Sequence, residues 1–253
     1  MSINLDDHHS IIEYCRLSSE SQLIGGSKYG NQVIKLPGHN LVVKFGQHVS
    51  SHEAENQQKA YNIIDSTIVT VPRVYEFFMD DEGWGYMVSD FITGKVIDPL
   101  PDSYIQRLAN VLYYFGTITS DNAGSLCGRP SIGLLWSDTN DLTISNIQRV
   151  ENWFNSRLFP KDGEVHFDPS QSILCHLDIV PRNILWLDDD NICLLDWASA
   201  GFYPRVLEFA SLSFQEYHFS ERLLNAVGFG SENDKEQQKR ICQALYNNER
   251  YSL

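Results

Sequence analysis

The period of the hydrophobic pattern changes midway along the chain, from short β-type runs to helical spacing beyond residue 95, and this change points to the fold class. Residues 20–91 consist mostly of short β-type runs. Leu23–Gly26 and Gln32–Leu36 flank a glycine-bearing loop. Pro37, Gly38, His39 and Asn40 then separate the second run from Leu41–Phe45, which predicts a hairpin. Arg73–Met79 and Tyr86–Phe91 bracket Asp80, Asp81, Glu82 and Gly83, which predict another. One helix lies between the hairpins, about Ser51 to Ile64, with Ser50 or Ser51 as its cap and Glu53 and Glu55 in its first turns. Beyond residue 95 the spacing is helical. A helix from Asp102 or Ser103 aligns Ile105, Leu108, Leu112 and Phe115. Another, from Asp141 or Thr143, carries Ile147, Val150, Phe154 and Leu158, and Ser231 with Asp234 marks a further start. The expectation is an α+β chain with a β-rich N-terminal lobe (residues 1–92) and a mainly helical C-terminal lobe (93–253), joined near Asp90–Gly94.

Bulk properties narrow the function class. The chain has 253 residues, which suits one two-lobed domain or two small ones and is ample for a core. Its net charge of −14 disfavours a nucleic-acid partner and tolerates a cationic small molecule, although a solvated acidic surface is the plainer account. No apolar run approaches a membrane span, and the opening MSINLDDHHS lacks the basic-then-apolar order of a signal peptide. Five scattered cysteines without a CxxC pair read as reduced thiols, with Cys175 and Cys193 packed as small apolar residues. A cytoplasmic protein is expected. His48 and His52 lie four apart with no third ligand evident, so they read as a solvated loop and helix start rather than a zinc site.

The chemistry concentrates in Ser172–Gly201. Three apolar runs, Ile173–Cys175, Ile184–Leu187 and Ile192–Leu195, are separated by polar residues, with a turn at Asp188–Asn191. A short hairpin between two carboxylates can bring Asp178, Asn183 and Asp196 to one rim. Two carboxylates and an amide suit a hard cation with oxygen ligands, of which magnesium on ATP phosphates is the usual example. Phosphoryl transfer needs little beyond positioning, charge neutralisation and a carboxylate that orients the attacking hydroxyl.

His176-Leu177-Asp178-Ile179-Val180-Pro181-Arg182-Asn183 matches H-x-D-x-x-x-x-N, and Leu195-Asp196-Trp197 resembles a strand-ending metal aspartate. With the run Trp197–Pro204, these residues resemble the aminoglycoside-phosphotransferase (phosphotransferase enzyme) family of the protein-kinase-like fold, especially its fungal-type branch. The resemblance implies that Asp178 is the catalytic base and that Asn183 and Asp196 hold magnesium. It makes His176 a structural brace. Arg182 can meet phosphate or form a surface ion pair.

The N-terminal half fits the same expectation. Gly25, Gly26, Ser27 and Gly30, with Lys28 between them, lie where backbone N–H groups can approach phosphates, although the spacing is not a clean G-x-G-x-x-G. Lys44 lies inside the apolar strand Leu41–Phe45, where a lysine is costly unless paired. The resemblance gives it to the ATP phosphates, held by a helix glutamate. Glu53 shares a helical stripe with Gln57, Ala60 and Ile64, whereas Glu55 faces Lys59 at surface spacing, so Glu53 is the expected partner. The stretch Tyr86-Met87-Val88-Ser89-Asp90-Phe91-Ile92-Thr93-Gly94 resembles the family's strand-to-hinge segment, which implies that Ser89 is a small gatekeeper and that the backbones of Asp90 and Ile92 bond adenine.

Two positions depart from the family pattern. Leu177 replaces the glycine of H-G-D, and Ala198 stands where many relatives carry a glutamate. The resemblance as a whole implies an ATP- and magnesium-dependent kinase acting on a hydroxyl of a small molecule. A scaffold that binds nucleotide without transfer, or an enzyme that activates a substrate with ATP before bond formation, remain alternatives.

Overall fold

The computed structural model describes residues 3–27, 29–136, 142–168, 172–188, 191–214, 217–228 and 231–251. Lys28 and Asp141, both named above, lie outside the described residues. In chain order the regular elements are α1 (His8–Leu17), β1 (Leu23–Gly26), β2 (Gln32–Lys35), β3 (Leu41–Gly46), α2 (Ser51–Ile63), β4 (Val74–Met79), β5 (Gly85–Asp90) and α3 (Asp102–Phe115). There follow β6 (Thr119–Ser120), β7 (Gly124–Ser125), α4 (Ile147–Asn155), β8 (Ser172–Cys175), β9 (Ile184–Trp186), β10 (Ile192–Leu194), β11 (Gly201–Pro204), α5 (Arg205–Leu212), α6 (Tyr217–Ala226) and α7 (Glu232–Tyr251). No helix among the described residues is long and apolar enough to cross a membrane.

The chain divides into two compact units, residues 1–95 with 185–195, and residues 96–184 with 196–253. The first is built on an antiparallel sheet in the order β1-β2-β3-β5-β4. Alternation along β3 sends Val43 and Phe45 into a core with Ile11 and Cys15 of α1 and with Phe78, Tyr86 and Val88. Lys44 therefore lies on the other face, opposite Met87, which packs with Val49 and with Ala54 of α2. Ser50 caps α2, its hydroxyl accepting from the Glu53 N–H at 3.3 Å.

Helix α1 has no counterpart in the expectations from sequence. Arg16 fastens it to the β4–β5 turn, bonding Asp80 at 2.6 Å, Glu82 at 2.9 Å and the Tyr86 hydroxyl at 3.2 Å. The paired strands β9 and β10 count with this unit, because main-chain bonds tie Lys95 to Trp186 and Thr70 to Leu194.

The second unit carries a four-stranded sheet in the order β6-β8-β11-β7. Its core gathers Trp136, Val150, Trp153 and Phe154 with Cys175, Leu177, Tyr203, Leu207 and Ile241. Helix α4 starts at Ile147, later than the expected Thr143, and its cap is Asn146, which accepts from the Arg149 N–H at 2.9 Å. Ser156 ends it, so Leu158 lies beyond the helix. At α7 the Ser231 hydroxyl accepts from the Asp234 N–H at 3.0 Å, the cap the sequence predicts.

Candidate active site

The candidate residues are described unit by unit. In the first unit, Gly25, Gly26, Ser27 and Gly30 occupy β1 and the turn into β2. The Ser27 N–H donates to the Asn31 carbonyl at 3.1 Å, and the Gly30 N–H to the Ser27 carbonyl at 3.1 Å. Gly26 has a φ of +76°, and a Cβ there would lie 2.0 Å from the Asn31 carbonyl oxygen, so the turn admits only glycine. The Lys44 ammonium donates to the Glu53 carboxylate, and both side chains are largely buried. Strand alternation aims Lys44 at α2, and the helix stripe presents Glu53 to it.

At the end of β5, Ser89 is buried, opposite Val42 on one side and Val74 on the other. The Asp90 N–H donates to the Arg73 carbonyl at 3.1 Å, and its carboxylate accepts from the Arg73 N–H at 3.0 Å and the Tyr75 hydroxyl at 2.9 Å. The Asp90 N–H and carboxylate are thus both engaged within this unit. The Ile92 N–H makes no hydrogen bond among the described residues.

In the second unit, β8 and β11 run antiparallel with Gly201 opposite Cys175. The segment leaving β8 (His176–Asp178) and the segment entering β11 (Asp196–Ala200) therefore start from one end of the sheet. A single 3₁₀ turn, Pro181–Asn183, returns Asn183 to Asp178. The Asn183 amide nitrogen donates to the Asp178 carbonyl at 3.0 Å and to its carboxylate at 2.8 Å. With the nitrogen committed, the amide oxygen is the atom left to face a cation. The Arg182 guanidinium reaches the other Asp178 oxygen at 3.4 Å. His176 is fully buried. Its ring packs edge-on against Trp197 at 4.5 Å, and its Nδ1 accepts from the Asp178 N–H at 3.3 Å. Asp196 has a φ of +62°, a left-handed conformation uncommon outside glycine. An oxygen-only set of Asp196 and Asn183 suits magnesium, a cation that dehydrates reluctantly and takes few protein ligands.

A model of the phosphotransferase enzyme family matches residues 26–239. The chain belongs to that family. Among solved structures it is similar to the aminoglycoside phosphotransferase APH(4)-Ia, with a TM-score of 0.61 and 14% identity over 96% of this chain and 90% of that one. A thermostable variant of that enzyme, in a ternary complex with AMP-PNP and hygromycin B, gives a TM-score of 0.62 at 14% identity, over 94% of this chain and 88% of that one. The GDP and kanamycin complex of APH(2″)-IIIa gives 0.56 at 13% identity, over 95% and 89%. At these identities the likeness speaks for the fold, which is protein-kinase-like and α+β. No curated protein sequence matches significantly.

Within this phosphotransferase fold, two features escape the sequence. The first is Leu177. Its φ is +63° and its side chain is buried, so the glycine habit of H-G-D reflects a backbone demand that leucine meets here under strain. The second is Glu208 of α5, a buried carboxylate that bonds the start of the loop 176–183. It accepts from the His176 N–H at 2.6 Å and from the Leu177 N–H at 3.2 Å to each oxygen. Burial pushes its carboxyl up to about 7, against the two backbone N–H groups that favour the charged form. An acid inside the apolar run Val206–Leu212 was the available signal. Asp178 also lines a cavity of about 320 Å³ with Leu134, Leu177, Arg182, Ser199 and Phe214, a grouping with no sequence signature. Gly133 has a φ of +106° and passes so close that a Cβ would lie 2.1 Å from the Ser199 hydroxyl.

Proposed function

We propose that the chain transfers the γ-phosphoryl group of ATP to a hydroxyl group of a small molecule, with magnesium. Asp178 accepts the hydroxyl proton as the acceptor oxygen bonds to phosphorus and the bond to the ADP oxygen breaks. Asn183 and Asp196 hold magnesium, which neutralises charge on the phosphate oxygens. Lys44, held by Glu53, binds the nucleotide phosphates, and Gly25, Gly26, Ser27 and Gly30 cover them. Ser89, the Asp90 carbonyl and the Ile92 N–H form the adenine site.

The observation that carries this reading is the Asn183 amide nitrogen clamped to the Asp178 carboxylate at 2.8 Å, an arrangement that supports Asp178 as the base and the Asn183 amide oxygen as a cation ligand. Family membership and the nucleotide complexes of the structural neighbours support it. The fungal-type branch and a cytoplasmic setting, which supplies ATP, belong to the same proposal. The net charge of −14 and the aminoglycosides bound by the neighbours favour a cationic acceptor, whereas the cavity at Asp178 favours another class, developed below.

A transfer assay over a broad alcohol library tests the reading. Asp178→Ala is expected to lower kcat by about 10²- to 10⁴-fold. Asp196→Ala is expected to abolish the thermal shift given by Mg·ATP. Wild type that binds Mg·ATP but phosphorylates no alcohol would leave the nucleotide-binding scaffold as the better account.

A further inference from the structure

The cavity beside Asp178 has a chemistry of its own. Its volume of about 320 Å³ sits at the small end of ligand pockets. Two large apolar side chains on its wall, Leu134 and Phe214, remain 44% and 43% exposed, and buried Leu177 adds apolar floor. One hydroxyl, Ser199, and one cation, Arg182, complete the lining next to the Asp178 carboxylate. The Arg182 side chain is 68% exposed and spends a single nitrogen on Asp178, at the long distance of 3.4 Å. The rest of its donor fork makes no bond among the described residues, and that fork suits a carboxylate or another planar anion.

On these grounds, and resting on the kinase reading above, we propose that the acceptor is a small hydroxy acid with an aromatic or branched apolar body rather than a polycation. The apolar body packs against Leu134 and Phe214, and Ser199 meets a polar substituent. Arg182 pairs with the acid group, which leaves the acceptor hydroxyl beside the Asp178 carboxylate. Arg182 is then a specificity-determining residue.

Matched probes decide between charge classes. Binding of 3-phenyllactate (anionic), 3-phenylpropane-1,2-diol (neutral), phenylalaninol (cationic) and kanamycin (polycationic) is measured by calorimetry and ligand-observed NMR in the presence of Mg·AMP-PNP. Wild type is expected to bind phenyllactate about tenfold more tightly than the diol or phenylalaninol, one charge-assisted contact's worth. Arg182→Ala is expected to remove that preference, and Arg182→Glu to reverse it toward phenylalaninol. Phe214→Ala is expected to weaken all three phenyl probes. Both side chains are substantially exposed, so folding is retained, which circular dichroism checks.

Tighter binding of phenylalaninol or kanamycin by wild type overturns the proposal, as does the failure of every phenyl probe to bind at millimolar concentration. A third adverse result is Arg182→Ala weakening AMP-PNP while leaving phenyllactate unchanged, which would assign the guanidinium to the nucleotide. Because binding is read without turnover, these outcomes stand apart from the transfer assay: the kinase reading can fail while the charge preference holds, and the reverse.

Discussion

Glu208 should make the stability of this protein fall as pH rises through neutrality. Its carboxyl is fully buried, and the bonds that reach it come from the His176 and Leu177 N–H groups. Those dipoles offset only part of the cost of a buried charge, so the group ionises at about 7 in the fold against an ordinary 4.5. Below 4.5 both folded and unfolded chains hold the proton and the contribution to stability is complete. Between 4.5 and about 7 the unfolded chain ionises while the folded chain does not, so the contribution is lost progressively, and above about 7 it is gone. Linkage over that interval gives a fall of about 2.5 kcal/mol between pH 5 and pH 8.

Glu208→Gln cannot ionise, and one of its side-chain atoms still accepts a hydrogen bond. Any bond it loses costs the same at every pH, so the comparison of two pH values isolates the proton. The wild-type melting temperature is expected to drop, relative to Glu208→Gln, by roughly 5–10 °C from pH 5 to pH 8. Parallel melting curves for the two proteins across this range, or a wild type that gains on the variant as pH rises, would refute the reasoning and place the Glu208 carboxyl near its ordinary value.

Three further outcomes follow from named contacts. Leu177→Gly is expected to be less destabilising than Leu177→Ala: both empty a buried site, at about 2–5 kcal/mol, but only glycine recovers the roughly 1–2 kcal/mol of left-handed strain, and urea denaturation of the pair decides it. With buried Ser89 as the small residue behind adenine in the proposed site, wild type should accept N6-benzyl-ATP while Ser89→Phe lowers its turnover relative to ATP by about tenfold or more, and equal ratios in the two proteins would sink the idea. Asp80→Ala strips an acceptor from the Glu82 and Trp84 N–H groups, the Tyr86 hydroxyl and Arg16, and should cost about 2–3 kcal/mol; an unchanged denaturation midpoint would show that α1 is held by its apolar face alone.

The same molecule shows why some of this was legible in the sequence and some was not. Glu53 could be told from Glu55 because helical spacing is a local code: positions three and four apart share a face, and the face of Gln57 and Ala60 is the buried one. Asp178, Asn183 and Asp196 could be singled out because residue type and spacing, set between short apolar runs, limit the chemistry available to them. Helix α1 was harder to read, since His8–Leu17 is short and mixes apolar and polar residues evenly, and the sheet it covers is what shows Ile11 and Cys15, one turn apart, to be core. Nor could the start of α4 be placed, because Thr143 and Asn146 are both competent caps and the chain uses the nearer one, while the Thr143 carbonyl accepts from Arg149 instead. The hairpin of β9 and β10 joins the first unit through main-chain bonds from Thr70 and Lys95, which leave no trace in side-chain pattern. Glu208 is the sharpest case. Its partners are backbone N–H groups of residues 32 and 31 positions earlier, and every amino acid but proline has such a group, so no sequence pattern at His176 or Leu177 could announce the bond. The candidate site residues are written in residue identity, whereas the backbone that positions them is written in geometry. Substitutions at Leu177 and Glu208 therefore test the second kind of information without altering the first.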